Sequence, residues 1–216
     1  MDPHQDDGPI SGFVGIILVP DAATIGVAYE LAQVALPAGA ESTLAPIALP
    51  HVTLMQCALR DAPRARITGI IERLGTRLRG RSIPLGVVIP TGGGFVFWCV
   101  DEATPERQLL QQAHEDALGL ADGFLDPVAN AAVVEGTIRL TGNDPVLVGH
   151  ARAHGYAFAR DRFLPHVTLG FDPRLAVDAR GGPALAILER RHLMHVERVA
   201  LARFGPYGRV EGLVSL

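Results

Sequence analysis

The amino-acid sequence predicts a mixed fold of strands and helices that is duplicated internally. Runs of β-branched and aliphatic residues alternate with segments of helical pattern along the chain. The order helix, strand, helix, strand, glycine turn, strand occurs twice. The hexapeptide Leu-Pro-His-Val-Thr-Leu stands at residues 49–54 and again at 164–169, an offset of 115 residues. With this composition two positions match by chance about 8% of the time, so six in a row arise in about one such chain in two hundred. Accident is a poor explanation.

Residues 1–10 are acidic and polar and are expected to form a flexible tail. Residues 13–19 (FVGIILV), closed by Pro20, read as a buried strand. Asp21 is placed to cap a helix reaching residue 36, where Pro37 and Gly39 end it. Behind Pro50, residues 51–58 read as a strand, and residues 64–79 as a helix carrying Arg64, Arg66, Arg73, Arg77 and Arg79. Strands at 83–89 and 95–100 are joined by Thr91-Gly92-Gly93-Gly94, a hairpin signal. Pro105 opens a helix to residue 118.

In the second half, residues 128–134 are expected as a weak strand, and Asp144-Pro145 opens a helix to about residue 159. A strand at 166–171, a short helix at 183–192 and a strand at 196–204 follow. Gly205-Pro206-Tyr207-Gly208 is a turn, and residues 209–216 complete a closing hairpin. The 115-residue shift lays His51 on His166, Pro84 on Val199 and Phe97 on Gly212. Residues 11–216 are therefore expected to be one domain built from pseudo-repeats at about 13–100 and 128–216.

Composition narrows the function. The chain has 216 residues, 48% hydrophobic and 19% charged, which is globular rather than disordered. A net charge of -4 argues against a partner that is long duplex nucleic acid. All 19 basic residues are Arg. The absence of Lys excludes Schiff-base lysines, Walker-type phosphate lysines and Ser-Lys dyads. With four serines and no G-x-S-x-G, the serine-hydrolase pattern is missing as well. Cys57 and Cys99 lie in apolar runs and are expected as buried free thiols. The first ten residues lack a positive stretch leading into an apolar core, and the longest apolar run, 13–19, is far short of the roughly 20 residues a bilayer requires. A cytoplasmic, soluble protein with no membrane partner is expected.

The repeated hexapeptide carries the chemistry. Side chains alternate on a strand, so His51 and Thr53 share one face while Val52 and Leu54 share the other. The second copy sets His166 and Thr168 against Val167 and Leu169 in the same way. The apolar pairs anchor each strand and the polar pairs point into a cleft. Two imidazoles serve as general base and general acid near neutral pH, and two hydroxyls donate to the non-bridging oxygens of a phosphate without a metal. No cofactor is called for.

Paired H-x-T-L motifs, each preceded by Pro and lying in separate halves of a roughly 200-residue chain, resemble the two-histidine (2H) phosphoesterase superfamily. That group includes the RNA 2',3'-cyclic phosphodiesterases, also called 2'-5' RNA ligase-like proteins. The resemblance spans residues 13–216 in layout. It implies a bilobal α+β fold, with two antiparallel sheets and outer helices facing a central cleft. It also implies metal-independent opening of 2',3'-cyclic phosphates on nucleotides or RNA ends. Carried over by position, His51 and His166 correspond to the acid–base pair, with His166 as base and His51 as acid, and Thr53 and Thr168 to the phosphate-holding residues. The separation of the motifs exceeds that of compact members, with the extra length at about 121–160. Other cyclic phosphodiesters (a cyclic oligonucleotide or ADP-ribose cyclic phosphate), 2'-5' RNA ligation and non-catalytic nucleotide binding are the alternatives. The chain is expected to act as a monomer.

The remaining candidates have plainer readings. His150 and His154, four apart on a helix, are expected as surface residues. His192 and His195 are expected to meet the last carbonyls of a helix, and His114 to lie on a polar helix face. The arginines of 64–79 are weighed as a phosphate contact. For stacking a base, Phe163 and Tyr156 come first, with Trp98, Phe97 and Phe158 behind them.

Overall fold

The computed structural model describes residues 8–44, 48–91, 93–175 and 188–216. Strand β1 (Ile10–Pro20) contains an unbroken apolar stretch because both of its faces are covered, and neighbours pair along both of its edges. It is followed by helix α1 (Ala22–Ala35), the short strand β2 (Glu41–Ser42) and strand β3 (Val52–Ala62). Helix α2 (Arg64–Leu78) buries one stripe, Ile67, Ile70, Leu74 and Leu78, at helical spacing. The hairpin β4 (Ser82–Pro90) and β5 (Phe95–Val100) precedes helix α3 (Pro105–Ala117). Two helices, α4 (Pro127–Thr141) and α5 (Pro145–His154), pack on each other within the extra segment. Strands β6 (His166–Phe171), β7 (Leu188–Phe204) and β8 (Val210–Leu213) complete the chain.

Every strand pairing is antiparallel. One sheet runs β3, β1, β7, β8; the other runs β6, β5, β4, β7, with β2 on the outer side of β6. The 17-residue β7 belongs to both. Its first half, to His195, pairs with β4, and its second half, from Val196, pairs with β1. The sheets also touch at one rung between the motif strands, Val52 opposite Val167. The result is an α+β fold of two joined antiparallel sheets flanked by helices. Alternation along β1 serves both faces: Ile16 and Leu18 enter the main core, Ile17 and Val19 a smaller cluster with Ala202, Phe204 and Val210.

Four expectations are corrected. Residues 128–134 form helix rather than strand. Asp126 caps α4 through hydrogen bonds from the Val128 and Ala129 N–H groups, Pro127 fills the first turn, and Gly142 closes it at positive φ. Helix α5 ends at His154, five residues early, because Gly155 takes the left-handed cap. The helix expected at 183–192 is replaced, from Leu188 on, by the start of β7, held by its pairing with β4; residues 183–187 lie outside the described residues. Residues 1–7 of the expected tail are also outside them, while Ile10 is buried in β1. Among the described residues, no helix is long and apolar enough to cross a membrane.

Candidate active site

Both motif strands carry the same irregularity. In β3, Ile16 pairs with Met55 and Ile17 with Thr53, so Leu54 is an extra residue. In β6, Val96 pairs with Gly170 and Phe97 with Thr168, so Leu169 is extra. Each is a β-bulge at the last position of the hexapeptide. Val52, Leu54, Val167 and Leu169 are all fully buried, as alternation requires. Beyond each bulge the parity of the strand shifts, and Gln56 comes round to the cleft face with Thr53.

The rung Val52–Val167 joins each motif to its own repeat counterpart. That rung sets the two motifs side by side in antiparallel order. The two rings are held in the same way. His51 Nδ1 donates to the Leu49 carbonyl at 2.8 Å, and His166 Nδ1 donates to the Leu164 carbonyl at 2.6 Å. A carbonyl only accepts, so both protons sit on Nδ1 and each Nε2 is left with its lone pair. Burial lowers the pKa of each ring to about 4, against the pull of its carbonyl partner; the charge of His51 lowers His166 further. Both are therefore neutral at pH 7. Phe97 stacks on the His166 ring at 3.5 Å, and Phe204 lies 5.5 Å from the ring of His51.

A cleft of about 250 Å³ opens here, and its lining includes Thr53, His166 and Thr168. Its walls are aromatic: Phe13, Phe95, Phe97, Tyr156, Phe158 and Tyr207. His51 is 7% exposed and is not among the residues that line this cleft. A larger cavity of about 320 Å³, at Cys99, Asp101, Leu164 and Arg191, contains none of the motif histidines or threonines.

Of the two first choices for base stacking, Tyr156 lines the cleft, its hydroxyl pKa raised by burial. Phe163 does not. It is 2% exposed and lies flat on His114 at 4.1 Å, in the core beneath the second motif. Phe97 and Phe158 reach the cleft, whereas Trp98 is fully buried and donates to the Arg190 carbonyl. His114 is not on a polar face either. It is fully buried, donating from Nδ1 to the Leu54 carbonyl at 2.6 Å and accepting at Nε2 from the Arg160 N–H at 2.8 Å.

His192 and His195 sit on β7 rather than at a helix end, bonded to the hydroxyls of Thr24 and Ser82. His150 lies 3.5 Å from Asp161, and His154 accepts from Arg160. The α2 arginines turn elsewhere. Arg66 donates to the Gly119 carbonyl and Arg77 pairs with Asp116, and none of the helix's arginines lines the cleft. Cys57 and Cys99 are free buried thiols whose pKa burial raises to about 12. No group of three or more His, Cys, Asp or Glu side chains able to hold a metal occurs among the described residues.

Sequence reasoning missed Gln56, Phe171, Tyr207 and Phe204. The available signal for the first two was their position just beyond the identical hexapeptides. Tyr207 stacks on Phe171 at 4.3 Å from a turn in which its own φ is +58°, which the pattern of the turn did not announce.

No protein-family model matches the sequence, and no curated protein matches it. Among solved structures, the chain is similar to TT0787 of Thermus thermophilus at 15% identity and a TM-score of 0.55, covering 94% of this chain and 95% of that one. It is also similar to E. coli LigT complexed with NADP+ at 13% identity and a TM-score of 0.52, covering 95% and 96%. The likeness extends over nearly the whole of each chain and is a likeness of fold.

Proposed function

We propose that this chain is a two-histidine phosphoesterase that opens the 2',3'-cyclic phosphates of nucleotides or RNA ends. The observation that carries the reading is the pairing of the two identical motifs. Each imidazole is fixed by the carbonyl two residues before it, with Nε2 making no hydrogen bond among the described residues, and His166 shares one cleft lining with Thr53 and Thr168. In the reaction, Thr53 and Thr168 donate to the non-bridging oxygens of the phosphate. A water attacks phosphorus, and Nε2 of His166 takes its proton as the new P–O bond forms. On the other side, Nε2–H of His51 gives a proton to the departing ribose oxygen as the ring P–O bond breaks. The roles of His166 as base and His51 as acid follow the family resemblance.

Burial suits the base, which is neutral and ready at pH 7. The acid has to hold a proton, and the negative charge of the phosphodiester between the rings supplies the counter-charge that favours it. That E. coli LigT is complexed with NADP+ supports a nucleotide ligand for a cleft of this fold. All four motif residues come from one chain, so the site is complete in a monomer.

The test is turnover of 2',3'-cyclic mononucleotides, with 2'-5' linked dinucleotides, a cyclic oligonucleotide and ADP-ribose cyclic phosphate alongside, and the position of phosphate in the product identified. A nucleoside monophosphate released from the cyclic mononucleotide is expected. A rise in melting temperature with no product makes the cleft a binding module and overturns the reading.

A further inference from the structure

We infer that Gln56 is a specificity-determining residue, whose carboxamide hydrogen-bonds the nucleobase of the substrate. The inference rests on the cleft being a nucleotide site, as proposed above, and goes on to the group that distinguishes one nucleotide from another.

The two copies of the motif agree for six residues and then part. Two residues beyond Leu54 stands Gln56, and two residues beyond Leu169 stands Phe171. The matching bulges give these positions the same place relative to their threonines. Their surroundings are opposite in character. Phe171 is occupied within the protein, stacked on Tyr207 at 4.3 Å and 4.9 Å from the ring of Phe95. Gln56 is half-buried in the cleft lining, and its carboxamide makes no hydrogen bond among the described residues. Among the described residues it is also the single carboxamide on a lining that is otherwise largely aromatic. Its polar atoms are not among the buried side-chain atoms left without a partner, so solvent in the open cleft reaches them and an entering ligand can take the place of that water.

Two further features fit a base at this end of the cleft. Room for the side chain is built in: a Cβ at Gly15 would lie 2.9 Å from the Gln56 Cβ and 2.5 Å from the Phe204 ring. Ring faces are also at hand. Gly155 packs so closely on Cys57, the neighbour of Gln56, that a Cβ there would come within 2.9 Å, and this brings Tyr156 and Phe158 over the same end of β3. Two ladder steps separate Gln56 from Thr53, about 7 Å along the strand. With phosphate at Thr53, the intervening span is filled by the ribose. A carboxamide offers a donor and an acceptor side by side, the complement of a base edge.

The experiment compares wild type with Gln56→Met, which keeps the length of the side chain and removes its hydrogen bonds, and with Gln56→Phe, which makes the first copy like the second. Substrates are adenosine 2',3'-cyclic phosphate and the base-free 1-O-methylribose 2',3'-cyclic phosphate. Loss of a bond to the base is expected to raise KM for the nucleotide, so that kcat/KM falls about tenfold more on it than on the base-free ester. Equal falls on both, or none on either, overturn the assignment. Equilibrium binding of adenosine 2'-monophosphate and of ribose 2-phosphate reads the same contact without turnover. Equal affinity of wild type and Gln56→Met for the nucleotide overturns the role of Gln56. A selective loss of nucleotide affinity in a protein that hydrolyses neither ester upholds it and instead overturns the hydrolase reading.

Discussion

Acid should destabilise this protein through its two motif histidines. Burial lowers each ring from 6.5 to about 4. Between those values the unfolded chain binds a proton at each ring that the folded chain does not, so stability falls as the pH falls. At pH 5 the loss relative to pH 7.5 is about 2 kcal/mol per ring, hence about 4 kcal/mol for the pair. The reference is the double variant His51→Asn/His166→Asn, whose side-chain N–H groups can still donate to the Leu49 and Leu164 carbonyls. His114, also lowered by burial, titrates equally in both proteins and cancels. Urea unfolding at pH 7.5 and pH 5 is the assay, and the wild type is expected to lose about 4 kcal/mol more than the double variant. Equal losses would refute the claim that the folded protein holds these rings neutral.

Three shorter expectations accompany it. His51→Asn or His166→Asn should each lower kcat by about 10²–10⁴ at pH 7.5 with the circular dichroism spectrum intact; near-full activity in either removes that ring from the acid–base pair. His114→Leu leaves the Leu54 carbonyl and the Arg160 N–H unpaired in the core, so urea melts should show a loss of about 2–4 kcal/mol, and a loss below about 1 kcal/mol contradicts the buried geometry. Gly94→Ala places a Cβ 2.6 Å from the Asp172 carbonyl oxygen at a φ of +85°, so thermal denaturation should register a destabilisation of about 1–3 kcal/mol, and a wild-type melting temperature argues against that turn.

What was legible in the sequence was what neighbours along the chain determine. The strand of residues 13–19, the arginine-bearing helix and the hairpin around the glycines follow from local periodicity and turn chemistry, and they stand where expected. The two motifs were legible because repetition marks them, and their apolar halves are buried as alternation requires. Helix α4 reads as a strand because its Val-rich run outweighs the Asp126-Pro127 start, although the same Asp-Pro signal marks the start of α5 at residues 144 and 145. The first half of β7 carries a helix-compatible pattern, and only its pairing with β4, about a hundred residues away, makes it a strand. The contact between His114 and Phe163 was invisible for a similar reason. Each is buried by the other, across 49 residues of sequence, and composition does not encode that contact. The bulges at Leu54 and Leu169 are set by registers with β1 and β5, so strict alternation does not carry past them.

The sharing of β7 has a mechanical consequence. The two sheets are the jaws of a clip, and β7 is the continuous spring that joins them. Its hand-over from β4 to β1 is clamped on both sides. The Asp21 N–H donates to the His195 carbonyl while the His195 N–H donates to the Asp21 carboxylate, and Val196 exchanges backbone bonds with Arg81 and Gly80. None of these pivot residues belongs to the cleft lining. Opposite the pivot, the single rung at Val52 and Val167 is the one ladder pair that ties the motif strands together directly. The placing of the two motif strands is therefore tied to backbone pairing at both ends of the clip. A change at Asp21 or His195 would reset the bite of the clip while leaving every group that meets the substrate chemically untouched.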